Sequence, residues 1–301
     1  MSSPQVIDTV AALRARTDEI RVGGGIVGFV PTMGYLHDGH ASLMRAARPN
    51  ADLLVASIFV NPLQFAAHED LGAYPRDLEG DTALAGRAGV DVLFVPSREE
   101  MYPRPVVTTV TVGEVSEGFE GVSRPTHFAG VATVVAKLFS IVGPCRAHFG
   151  EKDFQQLAVI KRMVDDLSMP VEVVGEPTVR EPDGLAMSSR NAYLTPAERS
   201  AAPVVHRALL AGSEVVHAGA TDPAVVRDAM SEVAGAEPLG AVDYLAVVDA
   251  SDFSVPDRLR GDLRLLAAVR FGKARLIDNL GVTVPDGMHR NEKETPRCAD
   301  A

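Results

Sequence analysis

Two imidazoles lie three residues apart, at His37 and His40, with Gly39 between them and Met33-Gly34 just before. On a beginning helical turn that spacing puts both rings on one side. The run Ile26-Val27-Gly28-Phe29-Val30 ahead of them reads as a buried strand, and Ala41-Ser42-Leu43-Met44-Arg45-Ala46 behind them reads as a helix. Strand, glycine-punctuated turn and helix start gather backbone N–H groups and the positive helix end at one point. An anion site with mobile protons beside it results, and a nucleotide phosphate suits it. In isolation the two histidines are equally ordinary turn residues. A metal is the weaker reading, because no third ligand is near in sequence.

Three other clusters combine residue types that bind. Asn61-Pro62-Leu63-Gln64-Phe65 ends the apolar run Leu53-Leu54-Val55-Ala56-Ser57-Ile58-Phe59-Val60, and sets two amides at its carboxyl end. Gly150-Glu151-Lys152-Asp153-Phe154-Gln155-Gln156 opens a helix pattern, in which Lys152 and Gln156 are four apart and share a face. There the ammonium can meet phosphate while the amide meets an organic substrate. Met187-Ser188-Ser189-Arg190-Asn191 offers two hydroxyls and a guanidinium, suited to a transient grip on a phosphate chain. Alone, these are also a strand-stopping turn, a solvated helix start and a polar linker.

The elements that must position them follow from periodicity. Residues 6–20 carry apolar positions at helical spacing, and 26–30, 53–60 and 92–95 are continuous apolar runs, as in parallel strands buried on both faces. Residues 107–112 alternate Val and Thr, which predicts a half-exposed strand. A helix over 131–142 with Thr126 as N-cap, a short strand at 147–149, a helix over 154–167 and a strand at 171–174 follow. Alternating strands and helices predict an α/β, doubly wound parallel sheet. Gly23-Gly24-Gly25-Ile26-Val27-Gly28 fits G-x-G-x-x-G but precedes its strand, so it reads as a turn, and no P-loop pattern occurs. Near 177–183 the character changes to helices over 196–218 and 222–235, then strands at 242–249 and 263–271. That order predicts a smaller α+β C-terminal domain. The expected layout is 1–178, 179–284 and a polar, disordered tail at 285–301.

Composition narrows the class. A chain of 301 residues with 46% hydrophobic content supports one large or two modest domains, and the formal charge of −11 argues against nucleic acid, including tRNA. Two cysteines, Cys145 and Cys298, do not make a disulfide scaffold. With no signal-peptide pattern and no run of ~20 apolar residues, a cytoplasmic protein without a membrane partner is expected.

The His37-x-Gly39-His40 turn resembles the signature of the nucleotidyl-transferring α/β superfamily, which implies a Rossmann-like sheet. The full set is more specific. Met33-Gly34-x-x-His37-x-Gly39-His40, then Phe59-Val60-Asn61-Pro62-x-Gln64-Phe65, then Gly150-Glu151-Lys152-Asp153-x-Gln155-Gln156, then Met187-Ser188-Ser189-Arg190-Asn191 is similar, in order, to the pantothenate synthetase family. Arg124-Pro125-Thr126-His127-Phe128-Ala129-Gly130 resembles it too, and the likeness spans about residues 4–283. Departures are Tyr35 for a small residue, which puts a ring at the pocket mouth, Asp38 for Glu and Phe154 for Tyr.

This resemblance implies an AMP-forming ligase that joins pantoate to β-alanine at the expense of ATP with Mg²⁺, through a pantoyl-adenylate, in a homodimer. It implies that His37 and His40 contact the triphosphate, with His37 as proton donor, that Lys152 neutralises phosphate charge, and that Asp153 holds the ribose. Ser188, Ser189 and Arg190 would close over the phosphates, the Val179 backbone would touch adenine, and Met33, Gly34, Gly39, Gly150 and Met187 would line the nucleotide site. Gln64 and Gln156 would clamp pantoate, with Asn61, Tyr74 and Met33 lining its pocket, and Asp81 would assist the metal. Another His-x-Gly-His nucleotidyltransferase would have no reason to carry the two glutamines. A non-catalytic nucleotide-binding module would need no cations around the phosphates.

Overall fold

The computed structural model describes residues 3–65, 72 and 75–284, so Tyr74 and the tail at 285–301 lie outside the described residues. The chain divides into two compact units, Met1–Ala192 and Tyr193–Ala301. The boundary falls later than the expected 178/179. An Arg180–Ala186 bridge and a 2.9 Å bond from the Met187 N–H to the Val179 carbonyl fold this stretch on itself, and Met187 lies beside Gly39 of the first unit.

The first unit runs β1 (Gln5–Ile7), α1 (Val10–Val22), β2 (Val27–Thr32), α2 (Asp38–Ala47), β3 (Leu53–Ile58), α3 (Leu78–Arg87) and β4 (Val92–Phe94). Two short helices, α4 (Arg98–Met101) and α5 (Glu120–Ser123), precede α6 (His127–Val142), β5 (Cys145–Gly150), α7 (Phe154–Asp166) and β6 (Val171–Glu176). All six strands pair in parallel in the order β1-β4-β3-β2-β5-β6. The chain leaves β2 toward β3 and β4, then returns to β2's other side with β5. The switch point therefore lies between the carboxyl ends of β2 and β5, the place where open α/β sheets bind ligands.

Alternation along β2 assigns its faces. Val30 joins Met44 and Ala47 of α2 and Ala85 of α3 in one core cluster with Leu54, Ala56 and Leu93. Small residues on the helices let them lie close on the strands. Phe29 points to the other face and meets Phe139 of α6 edge-on at 6.4 Å, and Phe139 meets Phe149 of β5 at 6.3 Å. Each buried ring contributes roughly 1.5–3 kcal/mol by leaving water.

The second unit holds α8 (Pro196–Ala201), α9 (Val204–His217), α10 (Pro223–Gly235) and an antiparallel sheet β7-β8-β9 (Ala241–Asp249, Asp262–Phe271, Ala274–Thr283). α9 packs on α10, and a Cβ at Gly212 would come within 2.7 Å of Met230 Cγ.

Four local expectations need correction. Residues 5–7 are an edge strand rather than the head of the first helix, because Thr9 caps α1 by accepting the Ala12 N–H. Residues 107–112 form no strand; Val107 is 93% exposed, and the Val110 N–H goes to Thr133 Oγ1 instead of a neighbouring strand. The 196–218 helix breaks at Pro203, whose ring cannot continue a helix but begins the next one well. β9 is a third strand beyond the two expected. Among the described residues no helix is long and apolar enough to cross a membrane.

Candidate active site

β2 delivers the histidine turn. After Thr32 the backbone takes left-handed conformations at Gly34 (φ 85°) and Tyr35 (φ 52°), a reversal that a glycine permits without strain. A Cβ at Gly34 would also come within 2.8 Å of Ile58 and 3.1 Å of Asp81. Asp81, buried on α3, accepts the Tyr35 N–H at 2.9 Å on one carboxylate oxygen and the Leu36 N–H at 2.6 Å on the other. Burial raises the pKa of Asp81 from the ordinary carboxylate value, against the pull of those two N–H groups. The turn that presents the histidines is thus pinned from a neighbouring helix.

The histidines then cap α2 by themselves. His37 is the N-cap and its Nδ1 accepts the Gly39 N–H at 3.1 Å, while His40 Nδ1 accepts the His37 N–H at 3.3 Å. This is a capping box made from two imidazoles. A backbone N–H can only donate, so each Nδ1 is an acceptor and each neutral ring carries its proton on Nε2. The rings lie 4.1 Å apart, inclined at 46°. A Cβ at position 39 would stand 2.8 Å from the His37 ring, so any larger residue there would displace that ring. Burial and then the Lys152 ammonium lower the His37 pKa. Burial and then His37 push His40 down to about 3. Near neutral pH the pair is therefore a matched set of Nε2–H donors.

β5 ends at Gly150 and delivers Lys152 and Asp153, whose charged atoms are 3.2 Å apart. Burial would raise the Asp153 pKa, but Lys152, Arg190 and His127 together draw it below the usual value. The same fields link this pair to His37 and His40. Arg190 comes from the 3-10 turn Ser189–Tyr193, where the Arg190 N–H donates to Ser188 Oγ at 3.3 Å. The expected phosphate-handling residues His37, His40, Lys152, Asp153 and Arg190 thus converge at the switch point. Ser188 and Met187 accompany them, and the Val179 carbonyl is engaged by the Met187 N–H.

β3 leads to Asn61–Gln64. Gln64 is 8% exposed; its Oε1 accepts from Asn61 Nδ2 at 3.3 Å, and its Nε2 donates to Met33 Sδ at 2.7 Å. Gln156 is half-buried in the first turn of α7, and its neighbour Gln155 has a different task. Gln155 donates to the Val115 and Gly118 carbonyls at 2.9 Å and accepts the Glu120 N–H at 3.1 Å, so it braces the loop before α6. No hydrogen bond joins Gln156 to Gln64 among the described residues. Tyr35, 39% exposed, lines a cavity of about 300 Å³ together with Met33, Gly34 and Asp81.

Three residues were given no place in the site by sequence. His127 Nδ1 lies 3.1 Å and Arg124 Nη2 3.4 Å from the Gln64 carbonyl, and Tyr102 donates to Asn61 Oδ1 at 3.0 Å. The first two stand in a family-like stretch, which was a usable signal; Tyr102 had none. Cys145 is a buried free thiol pushed up to about 12 by burial, and so unreactive.

Among the described residues no three His, Cys, Asp or Glu side chains converge as a metal site. Asp81, expected to assist Mg²⁺, has both oxygens engaged by backbone N–H groups.

The model of the Pantoate-beta-alanine ligase family matches residues 5–281. A pantothenate synthetase of Heliobacterium modesticaldum is 54% identical over 280 residues, which is 93% of this chain and 100% of the relative. Among solved structures, pantothenate synthetase from Thermus thermophilus superimposes with a TM-score of 0.86 at 52% identity, over 93% of this chain and 99% of that one. Pantoate-beta-alanine ligase from Francisella tularensis, complexed with beta-gamma ATP and beta-alanine, gives a TM-score of 0.76 at 32% identity, over 92% and 97%.

Proposed function

Because the chain belongs to the pantoate-beta-alanine ligase family, we propose that it makes pantothenate in two half-reactions at the crevice between β2 and β5. In the first, a pantoate carboxylate oxygen attacks the α-phosphorus of ATP and pyrophosphate leaves, giving pantoyl-adenylate. In the second, the amine of β-alanine attacks the acyl carbon, AMP leaves, and the amine loses a proton. Adenylation is needed because a carboxylate is a poor acylating agent. The observation that carries this reading is the meeting of His37, His40, Lys152, Asp153 and Arg190 at the sheet's switch point.

The first half-reaction piles negative charge on the phosphate oxygens. His37 and His40 meet that charge as neutral Nε2–H donors, fixed in tautomer by the backbone of their own turn. Lys152 supplies the positive charge, and preorganised donors of this kind favour the transition state over the bound substrate. The lowered pKa of His37 makes it a hydrogen-bond donor near neutral pH rather than a standing imidazolium. Asp153, held ionised by Lys152 and Arg190, accepts from the ribose hydroxyls. Ser188, Ser189 and Arg190 grip the outgoing phosphates. Gln64 and Gln156 read pantoate's oxygens, with Met33 and Phe65 beside its geminal methyls. Mg²⁺ would come with the nucleotide, since such ions are commonly held by substrate phosphates and water.

Incubating the protein with ATP and pantoate, then quenching for mass spectrometry, tests the reading. A mass for pantoyl-adenylate is expected, with AMP released only when β-alanine is added. AMP release that ignores pantoate would sink it.

A further inference from the structure

An amide presents either an oxygen or an NH₂ to its ligand, and the two halves select opposite partners. At Gln64 the choice is made by groups with no freedom. The Leu63 N–H donates to Asn61 Oδ1 at 3.3 Å, and the Gly130 carbonyl accepts from Asn61 Nδ2 at 3.1 Å. One partner is a backbone donor and the other a backbone acceptor, so the Asn61 amide has a single orientation. Its remaining N–H points to Gln64 Oε1. The oxygen of Gln64 is thereby turned toward Asn61, and its NH₂ is left facing Met33, whose thioether is a weak acceptor.

The surroundings make this arrangement stiff. Asn61 is 1% exposed, and the turn lies backbone to backbone against α6. A Cβ on Gly130 would run into the Leu63 carbonyl and stand 2.6 Å from the Gln64 Cα. Tyr102 adds its O–H to Asn61 Oδ1. Burial raises that hydroxyl's pKa to about 12, which keeps it a donor. Lys137 sits 5.5 Å from the centre of the same ring.

We propose that Asn61 is a positioning residue that fixes the polarity of Gln64, so that the pantoate pocket reads its substrate at this point through N–H donors alone. The inference rests on pantoate being the substrate. Gln64 then recognises an acceptor, a carboxylate or hydroxyl oxygen, and rejects a group that can only donate. Asn61 touches no reacting atom; it acts through Gln64, with Tyr102 behind it.

The test measures kcat/KM by AMP release for pantoate and for two analogues in which the 2-hydroxyl or the 4-hydroxyl is an ammonium, a donor-only group. Wild type is compared with Asn61→Asp and Tyr102→Phe, and Kd for ATP is measured alongside. Asn61→Asp can donate neither to Gly130 nor to Gln64, and should lose roughly 10–100-fold on pantoate, the cost of one or two unmet hydrogen bonds. Its Kd for ATP should stay within about twofold, because the nucleotide is held by other residues. The signature is a ratio: with Gln64 free to turn its oxygen outward, the penalty on one ammonium analogue should shrink by roughly tenfold. Tyr102→Phe should show the same trend at a few-fold. A purely structural defect would slow all three substrates alike and leave the ratio unmoved, which would overturn the proposal. If Asn61→Asp does not fold, Gln64→Glu keeps the Asn61 donor satisfied and turns an acceptor to the pocket. It should move preference the same way, and an unchanged preference there would also overturn the proposal. Wild type that releases no AMP from pantoate would instead remove the substrate reading, and this inference with it.

Discussion

The turns after β2 and β3 leave paired strands of one sheet, yet they are held by opposite means. The first is made of backbone that would not stay put unaided: Gly34 and Tyr35 are left-handed, and a carboxylate from another helix, Asp81, collects the exposed N–H groups of Tyr35 and Leu36. The second is made of ordinary backbone, and a side-chain amide, Asn61, is locked by backbone groups on either side. At the proposed phosphate site, backbone N–H groups set which nitrogen of each neutral imidazole carries the proton. At the proposed pantoate site, backbone sets an amide's direction. In both, the residue proposed to meet the ligand is tuned by a neighbour that need not meet it.

The sharpest break comes at two residues proposed to face the phosphates, His40 at the end of the first turn and Lys152 after β5. His40→Ala or Lys152→Ala should lower turnover by ~10²–10³-fold, the size expected for losing one transition-state donor or charge. Steady-state AMP release on protein with a native circular dichroism spectrum checks this; a folded Lys152→Ala enzyme at wild-type rate would take Lys152 out of the mechanism.

In the second turn, pantoate lacking its 2- or 4-hydroxyl should lose roughly 2–4 kcal/mol in kcat/KM, one or two unmet groups at ~1–3 kcal/mol each. Gln64→Leu should slow pantoate turnover, flatten that discrimination and barely touch ATP binding. Kinetics with both deoxy analogues decide it, and undiminished discrimination in the mutant would free Gln64 of the task.

The carboxylate behind the first turn gives a smaller effect. Asp81→Asn puts an NH₂ against one of two backbone donors, and kcat should fall by roughly 10–100-fold, as for one stranded buried group. Raising Mg²⁺ should not restore it. Recovery with excess Mg²⁺ would make Asp81 a metal ligand after all.

The smallest effect is on stability. Both histidine pKa values are lowered by folding, so the unfolded chain binds more protons, and stability rises with pH between the folded and unfolded values. Their contribution is complete above about pH 6.5 and declines as pH falls through that value, by at most about 1.4 kcal/mol per pH unit for each histidine. Urea midpoints from pH 7.5 to 4.5 should fall accordingly, and replacing both histidines by Gln should flatten the slope.

Much of the first unit was legible because its central strands are apolar throughout, which only two-sided burial demands. Weak or short patterns misled: 5–7 is too short to show a period, and the alternation at 107–112 never found a partner strand. The ten residues of β9 interrupt their alternation with Asp278, Asn279 and Gly281, so they passed unremarked. In the site, chemistry-bearing residues stood out by type and spacing, as His37, Lys152 and Gln64 did. Those that tune them did not. Asp81 lies 46 positions from Tyr35 and Tyr102 41 from Asn61, and nothing local marks either pairing. Gln155 and Gln156 are alike in type, and only the fold tells the brace from the candidate reader.

The central claim, that this crevice adenylates pantoate before β-alanine takes part, is met most directly by isotope exchange. Radiolabelled pyrophosphate should enter ATP when pantoate is present and β-alanine is absent. Exchange that appears only on adding β-alanine would contradict the account.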